Sequence, residues 1–260
     1  MLSVRYVIVP LSFGLLSGVL PAQVTRASLE RPALSQAAPL PPTQPLTPER
    51  RADILMARKM YREAIEMYEQ APKDSAAVWN KMGIAYHQML QLDAALKRYR
   101  QAIRLDPKFA EAINNAGTIY YARKQYGKAV KYYKRAIKLE PNSASIYSNL
   151  GLACYARKKD KEAAAAFNTA LRLDPEVFER HGRSGALVQE SSVEDRARYH
   201  FFQAKLYAKA GQDDRALLCI RKALEEGFKE RKQLLQDPEF AHLRDLPQFK
   251  ELLTLEPRVL

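Results

Sequence analysis

Ala110 to Ser143 reads AEAINNAGTIYYARKQYGKAVKYYKRAIKLEPNS, and the residues on either side of it repeat the same pattern in other letters. From Ala76 to Val177 one 34-residue unit occurs three times, as 76–109, 110–143 and 144–177, with no insertion or deletion. Trp79, Ile113 and Tyr147 open the first half of each unit, followed by Met82, Ala116 and Leu150 and then by Gly83, Gly117 and Gly151. The second half carries Ala95, Ala129 and Ala163, then Tyr99, Tyr133 and Phe167, then Ala102, Ala136 and Ala170; Pro107, Pro141 and Pro175 close the units. Apolar residues spaced i, i+3, i+4 and i+7 in each half predict two amphipathic helices. The polar turns between them are expected at Gln91-Leu92-Asp93, Gln125-Tyr126-Gly127 and Lys158-Lys159-Asp160. Glycine and alanine sit where helices cross, so that backbones approach and a ring fills the gap; a branched residue at Gly117 overpacks the crossing at a cost of roughly 1–3 kcal/mol. The closing proline ends each pair, because it cannot continue the hydrogen bonding and biases the preceding residue away from helix. One pair cannot bury both its faces. Neighbours must stack, which predicts an all-α fold, an α-solenoid of antiparallel helix pairs whose concave groove is lined by the first helices.

At nearly every signature position this unit resembles the tetratricopeptide repeat (TPR). The resemblance covers roughly residues 49–253 and is most specific over 76–177. It implies a TPR superhelix that binds a protein partner and carries no catalytic site.

The flanks of the repeats need separate readings. Arg5 followed by a mostly apolar run from Tyr6 to Leu20, with Pro21-Ala22 behind it, reads as a signal segment over 1–22 cut near Ala22. That reading places the chain outside the cytoplasm, periplasmic or secreted. A membrane-anchored form keeping the segment uncleaved is the alternative, and an organellar presequence stays open because no acidic residue precedes Glu30. No Cys follows the apolar run, which excludes lipoprotein processing. Residues 23–48 are rich in Pro, Ala, Gln, Thr and Ser and read as a disordered linker. Residues 49–75 hold a degenerate N-terminal helix pair, with Ala64 only 31 residues before Ala95. After Val177 the next matching alanine is Ala216, 53 residues after Ala163, which predicts an insertion at 178–196 and a fourth, divergent pair at 197–227. His200 and Gln203 occupy places where that pair should carry apolar or aromatic residues. Within the C-terminal capping segment 228–260, the stretch Asp237 to Phe249 resembles the closing segment of many bacterial tetratricopeptide proteins and is expected to cover the last helix face.

Nothing in the chain suggests catalysis. His87, His181, His200 and His242 are scattered without metal-ligand spacing, Gly182-Arg183-Ser184-Gly185 lacks the spacing of a nucleophile elbow, and no glycine-rich phosphate loop appears. No cofactor and no small-molecule substrate is expected. Cys154 and Cys219 lie on apolar helix faces as buried free thiols, with a disulfide between them as the alternative in an oxidising compartment.

By repeat register the groove is lined by Asn80, Ile84 and His87, then Asn114, Thr118 and Tyr121, then Ser148, Leu152 and Tyr155, with Asn115 and Asn149 beside them. The family resemblance implies that Asn115 and Asn149 bracket the backbone of an extended peptide through their amides. One family subtype clamps a terminal carboxylate with Lys and Arg; the matching places here hold Asn80, Ile84, Ser145 and Asn149, so that clamp is missing. The net charge of +13 is concentrated in the first two repeats, with six basic against two acidic residues in 76–109, seven against two in 110–143, and five against four in 144–177. Lys97, Arg100 and Arg104, then Lys131, Lys134 and Lys138, then Arg172 predict a basic ridge on the outer surface, suited to an anionic polymer or membrane surface. Nucleic acid is not expected, because aromatics do not interleave with these cations. The sequence therefore supports an interaction scaffold, with a ridge-bound anionic partner or an accessory subunit of an enzyme or secretion complex as alternatives.

Overall fold

The computed structural model describes residues 45–180 and 192–255, all within one unit running from Pro45 to Leu260. The stretch read as a signal segment, the expected linker before Pro45, the Gly182–Gly185 stretch and the residues after Leu255 lie outside the described residues. Among those residues every regular element is helical. Four long pairs follow one another: α1 (Pro48–Ala57) with α2 (Tyr61–Glu69), α3 (Ala76–Gln88) with α4 (Leu92–Leu105), α5 (Ala110–Ala122) with α6 (Tyr126–Leu139), and α7 (Ala144–Ala156) with α8 (Asp160–Leu173). A short α9 (Val177–Arg180) comes next, then the pair α10 (Val193–Lys209) and α11 (Asp213–Glu225), then α12 (Lys232–Gln236), a 3-10 turn (Pro238–Leu243) and α13 (Pro247–Leu253).

Helix starts follow local chemistry. Thr47 and Ser75 accept hydrogen bonds from the backbone N–H of Arg50 and Val78, each at 3.3 Å, satisfying donors that the first helical turn leaves open. Helix ends follow the prolines: Asp106 and Asp174, each just before one, leave the helical region for extended backbone.

The turns inside the pairs lie nearer the first helix than the sequence pattern places them. They are built on Met89–Gln91, Arg123–Gln125 and Arg157–Lys159, and Leu92, Tyr126 and Asp160 are already helical. The reason is a left-handed residue at Leu90, Lys124 and Lys158, with φ of 59°, 57° and 58°. The backbone N–H of Leu90 donates to His87 O and that of Gln91 to Tyr86 O, both at 2.9 Å, a closure that reverses the chain within three residues. The same conformation recurs at Lys59 and Gly211, so all five pairs turn in one way.

Ring-on-glycine packing closes each pair of the three regular repeats. A Cβ added at Gly83, Gly117 or Gly151 would come within 2.5–2.7 Å of the ring of Tyr99, Tyr133 or Phe167, and those rings are themselves buried. The core forms two clusters: Ala52 to Ala85 in α1–α3, and Ala95 to Leu252 through the rest. The first pair is tied to the second by polar contacts as well. Tyr68 OH donates to Asp53 Oδ1 at 2.6 Å, and Lys81 Nζ reaches Asp53 at 2.8 Å and Glu49 at 2.9 Å.

At the C-terminal end, α10 begins four residues before the expected Ala197, because Ser192 Oγ accepts from Asp195 N–H at 3.1 Å and starts the helix there. Phe178, the first residue of the expected insertion, is buried and lies in the short helix α9. The Phe178 ring meets Phe167 at 5.3 Å and Tyr207 at 5.9 Å, bridging the α7–α8 and α10–α11 pairs. Residues 181–191 of that insertion lie outside the described residues. The tail folds over α10 and α11: Phe201 stacks on Phe228 at 4.3 Å and meets Phe240 at 5.7 Å, and Phe240, Leu243, Phe249 and Leu252 are buried.

Candidate partner-binding groove

Successive first helices touch directly, α3 with α5 and α5 with α7, whereas stacking between repeats otherwise runs from a second helix to the next first helix. This crowding puts the first helices on the inner side of the stack. A ladder of amides runs along that side. Asn80 Nδ2 donates to Glu111 Oε1 at 3.0 Å, Asn115 Nδ2 donates to Asn80 Oδ1 at 3.1 Å, and Asn149 Nδ2 donates to Asn114 Oδ1 at 3.0 Å. The four asparagines thus carry hydrogen bonds from repeat to repeat. An Asn side chain has two N–H donors and a carbonyl acceptor, so one ladder bond does not exhaust Asn115 or Asn149, which are half-buried.

Of the residues assigned to the groove, Ile84, His87, Asn114, Asn115, Thr118, Tyr121, Asn149 and Tyr155 stay half-buried. Asn80, Ser148 and Leu152 do not belong to that surface: they are 2%, 3% and 5% exposed. Glu111 and Asn115 of the next first helix close over Asn80. Ser148 and Leu152 share a helix face with Tyr155, onto which Tyr199 and Phe202 of α10 fold at ring distances of 5.2 and 5.1 Å. Thr118 Oγ1 donates back to the Asn114 carbonyl at 3.2 Å and accepts from Tyr133 OH at 3.4 Å, which ties the inner face to the buried ring behind it.

Tyr121 and Tyr155 form the aromatic floor. Tyr121 meets Tyr126 edge-on at 5.1 Å, and burial pushes the hydroxyls of both Tyr121 and Tyr155 up to about 12. Tyr126, Tyr199 and Phe202 complete this aromatic set and were missed by the repeat reading. For Phe202 the signal was present: carried over by the 53-residue offset, it occupies the column of Asn115 and Asn149 and ends the amide ladder with a ring.

The two departures in the α10–α11 pair answer each other. His200 Nδ1 lies 3.2 Å from Gln203 Oε1, and Nε2 faces Glu226 Oε2 at 3.7 Å, with Arg196 on the other oxygen of that carboxylate at 3.2 Å. Burial, partly opposed by Glu226, holds the His200 imidazole below the ordinary range. Cys154 and Cys219 are both free and buried, and burial pushes the Cys219 thiol up to about 11, the state of an inert structural thiol.

Lys97, Arg100, Arg104, Lys131, Lys134, Lys138 and Arg172 are all exposed, on the second helices α4, α6 and α8. Among the described residues no group of three or more His, Cys, Asp or Glu side chains is placed to hold a metal ion.

The TPR repeat family matches residues 91–122 and 117–157, and the Tetratricopeptide repeat family matches 144–177. Residues 91–177 are tetratricopeptide repeats. Tetratricopeptide folds are characteristically non-catalytic modules that bind other proteins. No curated protein sequence matches this one. Among solved structures, pilF of Pseudomonas aeruginosa is similar at 19% identity with a TM-score of 0.52, covering 79% of this chain and 86% of that one. MamA 41-end from Desulfovibrio magneticus RS-1 is similar at 20% identity with a TM-score of 0.50, covering 72% and 94%. At such identities the likeness speaks to the tetratricopeptide fold alone.

Proposed function

We propose that this tetratricopeptide protein is a scaffold that takes an extended or helical segment of a partner protein along the inner face of α3, α5 and α7. The observation that carries the reading is the half-buried strip from Ile84 to Tyr155, in which amides spaced by the repeat alternate with tyrosine rings. Amides with donor and acceptor capacity suit the polar backbone of a bound segment, and the rings suit its apolar side chains. The strip is neutral apart from Glu111 at its ladder end, so the partner segment is expected to be recognised mainly by hydrogen bonding and shape and to stay bound as salt rises. Export directed by residues 1–22 belongs to the same proposal, and N-terminal sequencing of the mature protein from its native cell checks it.

The test compares crosslinked capture by the wild-type chain, an Asn115→Ala, Asn149→Ala double variant and an Asn80→Ala variant at low and high salt. Asn80→Ala breaks the same ladder from a buried position. Loss of one specific partner with the double variant, but not with Asn80→Ala or with salt, is the expected result. Equal loss in both variants reduces the ladder to a structural device and removes the groove reading. A partner lost with salt and indifferent to both variants moves the binding site to the basic second-helix surface.

A further inference from the structure

The exposed cations of α4 do not simply project into solvent. Lys97, Arg100 and Arg104 form one wall of a cleft of about 370 Å³, whose other wall is the α5–α6 hairpin, contributing Tyr120, Arg123 and Lys128. Five basic side chains therefore converge on one space. The single carboxylate in the lining, Asp93, already pairs with Arg123 at 2.5 Å.

Three details separate this cleft from a row of solvated lysines. Arg100 Nη2 donates to Tyr120 OH at 2.6 Å, which fixes the guanidinium plane at the cost of one of its five N–H donors. Lys128 Nζ lies over the face of the same tyrosine, 5.6 Å from the ring centroid. Burial opposes ionisation of Tyr120, yet hydrogen bonds from Arg100 and Tyr132 and the charges of Arg100 and Lys128 outweigh it and hold the hydroxyl below the usual phenol range. Arg100 and Lys128 thus act together on one buried ring, which is itself only 5% exposed.

The arrangement is not a by-product of the repeat. At the seam before it, the positions matching Lys97 and Arg100 are Glu66 and Glu69, and Glu69 faces Arg98 at 3.7 Å. At the seam after it, Lys131, Lys134 and Lys138 recur on α6, but Cys154 and Glu162 stand where Tyr120 and Lys128 stand here. The five cations line one space, so a single anion entering it meets several of them at once. A monovalent carboxylate would leave most of that charge unanswered, whereas phosphate offers dense negative charge and an oxygen geometry that matches guanidinium forks.

We propose that the cleft between α4 and the α5–α6 hairpin is a binding site for a multiply charged phosphate group, with Arg100 as the central side chain. The phosphate can belong to a free polyphosphate or to lipid headgroups; the recognition chemistry is shared. The site is on the second-helix side and is independent of the groove.

The experiment uses the purified full chain with two probes in one buffer of near-physiological salt: inorganic tripolyphosphate, followed by calorimetry, and vesicles of equal parts phosphatidylglycerol and phosphatidylcholine, followed by co-sedimentation. A Lys97→Gln, Arg100→Gln variant is set against Lys131→Gln, Lys134→Gln, which removes the same formal charge from the neighbouring helix. The cleft variant is expected to weaken binding by at least about tenfold, as loss of a charge-assisted contact does, and the control by less than about twofold. That pattern with tripolyphosphate assigns the site to a free polyphosphate; the same pattern with vesicles alone assigns it to headgroups. Equal losses in the two variants, or no binding of either probe to the wild type, overturn the proposal. Far-UV circular dichroism monitors folding, and should the cleft pair unfold, Lys128→Gln against Lys131→Gln repeats the comparison.

Discussion

A Cβ added at Gly117 would lie 2.7 Å from Cε1 of Tyr133, a ring only 1% exposed and unable to swing aside. Gly117→Ala is therefore expected to lower stability by about 1–3 kcal/mol, as overpacking does, and urea denaturation checks it. Leu90 presents the opposite case. It holds φ at 59° while 81% of its surface is exposed, so little burial rewards the strained backbone. A left-handed non-glycine residue costs roughly 1–2 kcal/mol, and glycine returns part of that gain as unfolded-state entropy of roughly 0.5–1 kcal/mol. Leu90→Gly is expected to raise stability by up to about 1 kcal/mol, and a fall in the same measurement would contradict the turn argument.

The helix pair is the unit that the repeat writes, yet the ends of the stack are finished by different means. The N-terminal pair is joined through the Tyr68, Asp53 and Lys81 contacts, whereas the C-terminal pair is covered by a tail whose Phe240 is completely buried against Phe201 and Phe249. Removing such a ring costs about 3–5 kcal/mol. Because each pair contacts mainly its neighbours, the damage should stay local. Phe240→Ala is expected to speed amide hydrogen exchange in α10, α11 and α13 while leaving α3 to α6 protected. Uniform acceleration along the chain would show that the solenoid unfolds as one cooperative body.

Across the whole molecule, burial raises the hydroxyls of Tyr68, Tyr121, Tyr155 and Tyr199, and those of Tyr121 and Tyr155 hold their protons up to about 12. An unfolded chain releases phenolic protons from about pH 10. Above that point the unfolded state binds fewer protons than the folded one, so stability, complete below it, falls as pH rises. The thermal midpoint is expected to change little between about pH 7 and 9 on account of these groups and to drop beyond about pH 10; Tyr121→Phe should make that drop shallower. An alkaline limb of unchanged slope in the variant would sink the assignment.

The period of 34 residues, the ring-on-glycine pairs and the closing prolines were legible in the sequence, because each depends on contacts within one pair or between adjacent pairs that the register itself encodes. Register also aligned the first-helix columns whose asparagines bond from repeat to repeat, Asn115 to Asn80 and Asn149 to Asn114. It could not tell that Asn80, Ser148 and Leu152 are covered, since burial depends on which neighbouring helix closes over a column. Nor could it show Tyr120, Arg123 and Lys128 meeting the α4 cations, because those residues come from separate helices and fall outside the periodic rows. Secondary structure and stacking order follow from local spacing and are written along the chain. Clefts and covered surfaces arise where side chains distant in sequence are brought to one place, and only the tertiary structure decides them.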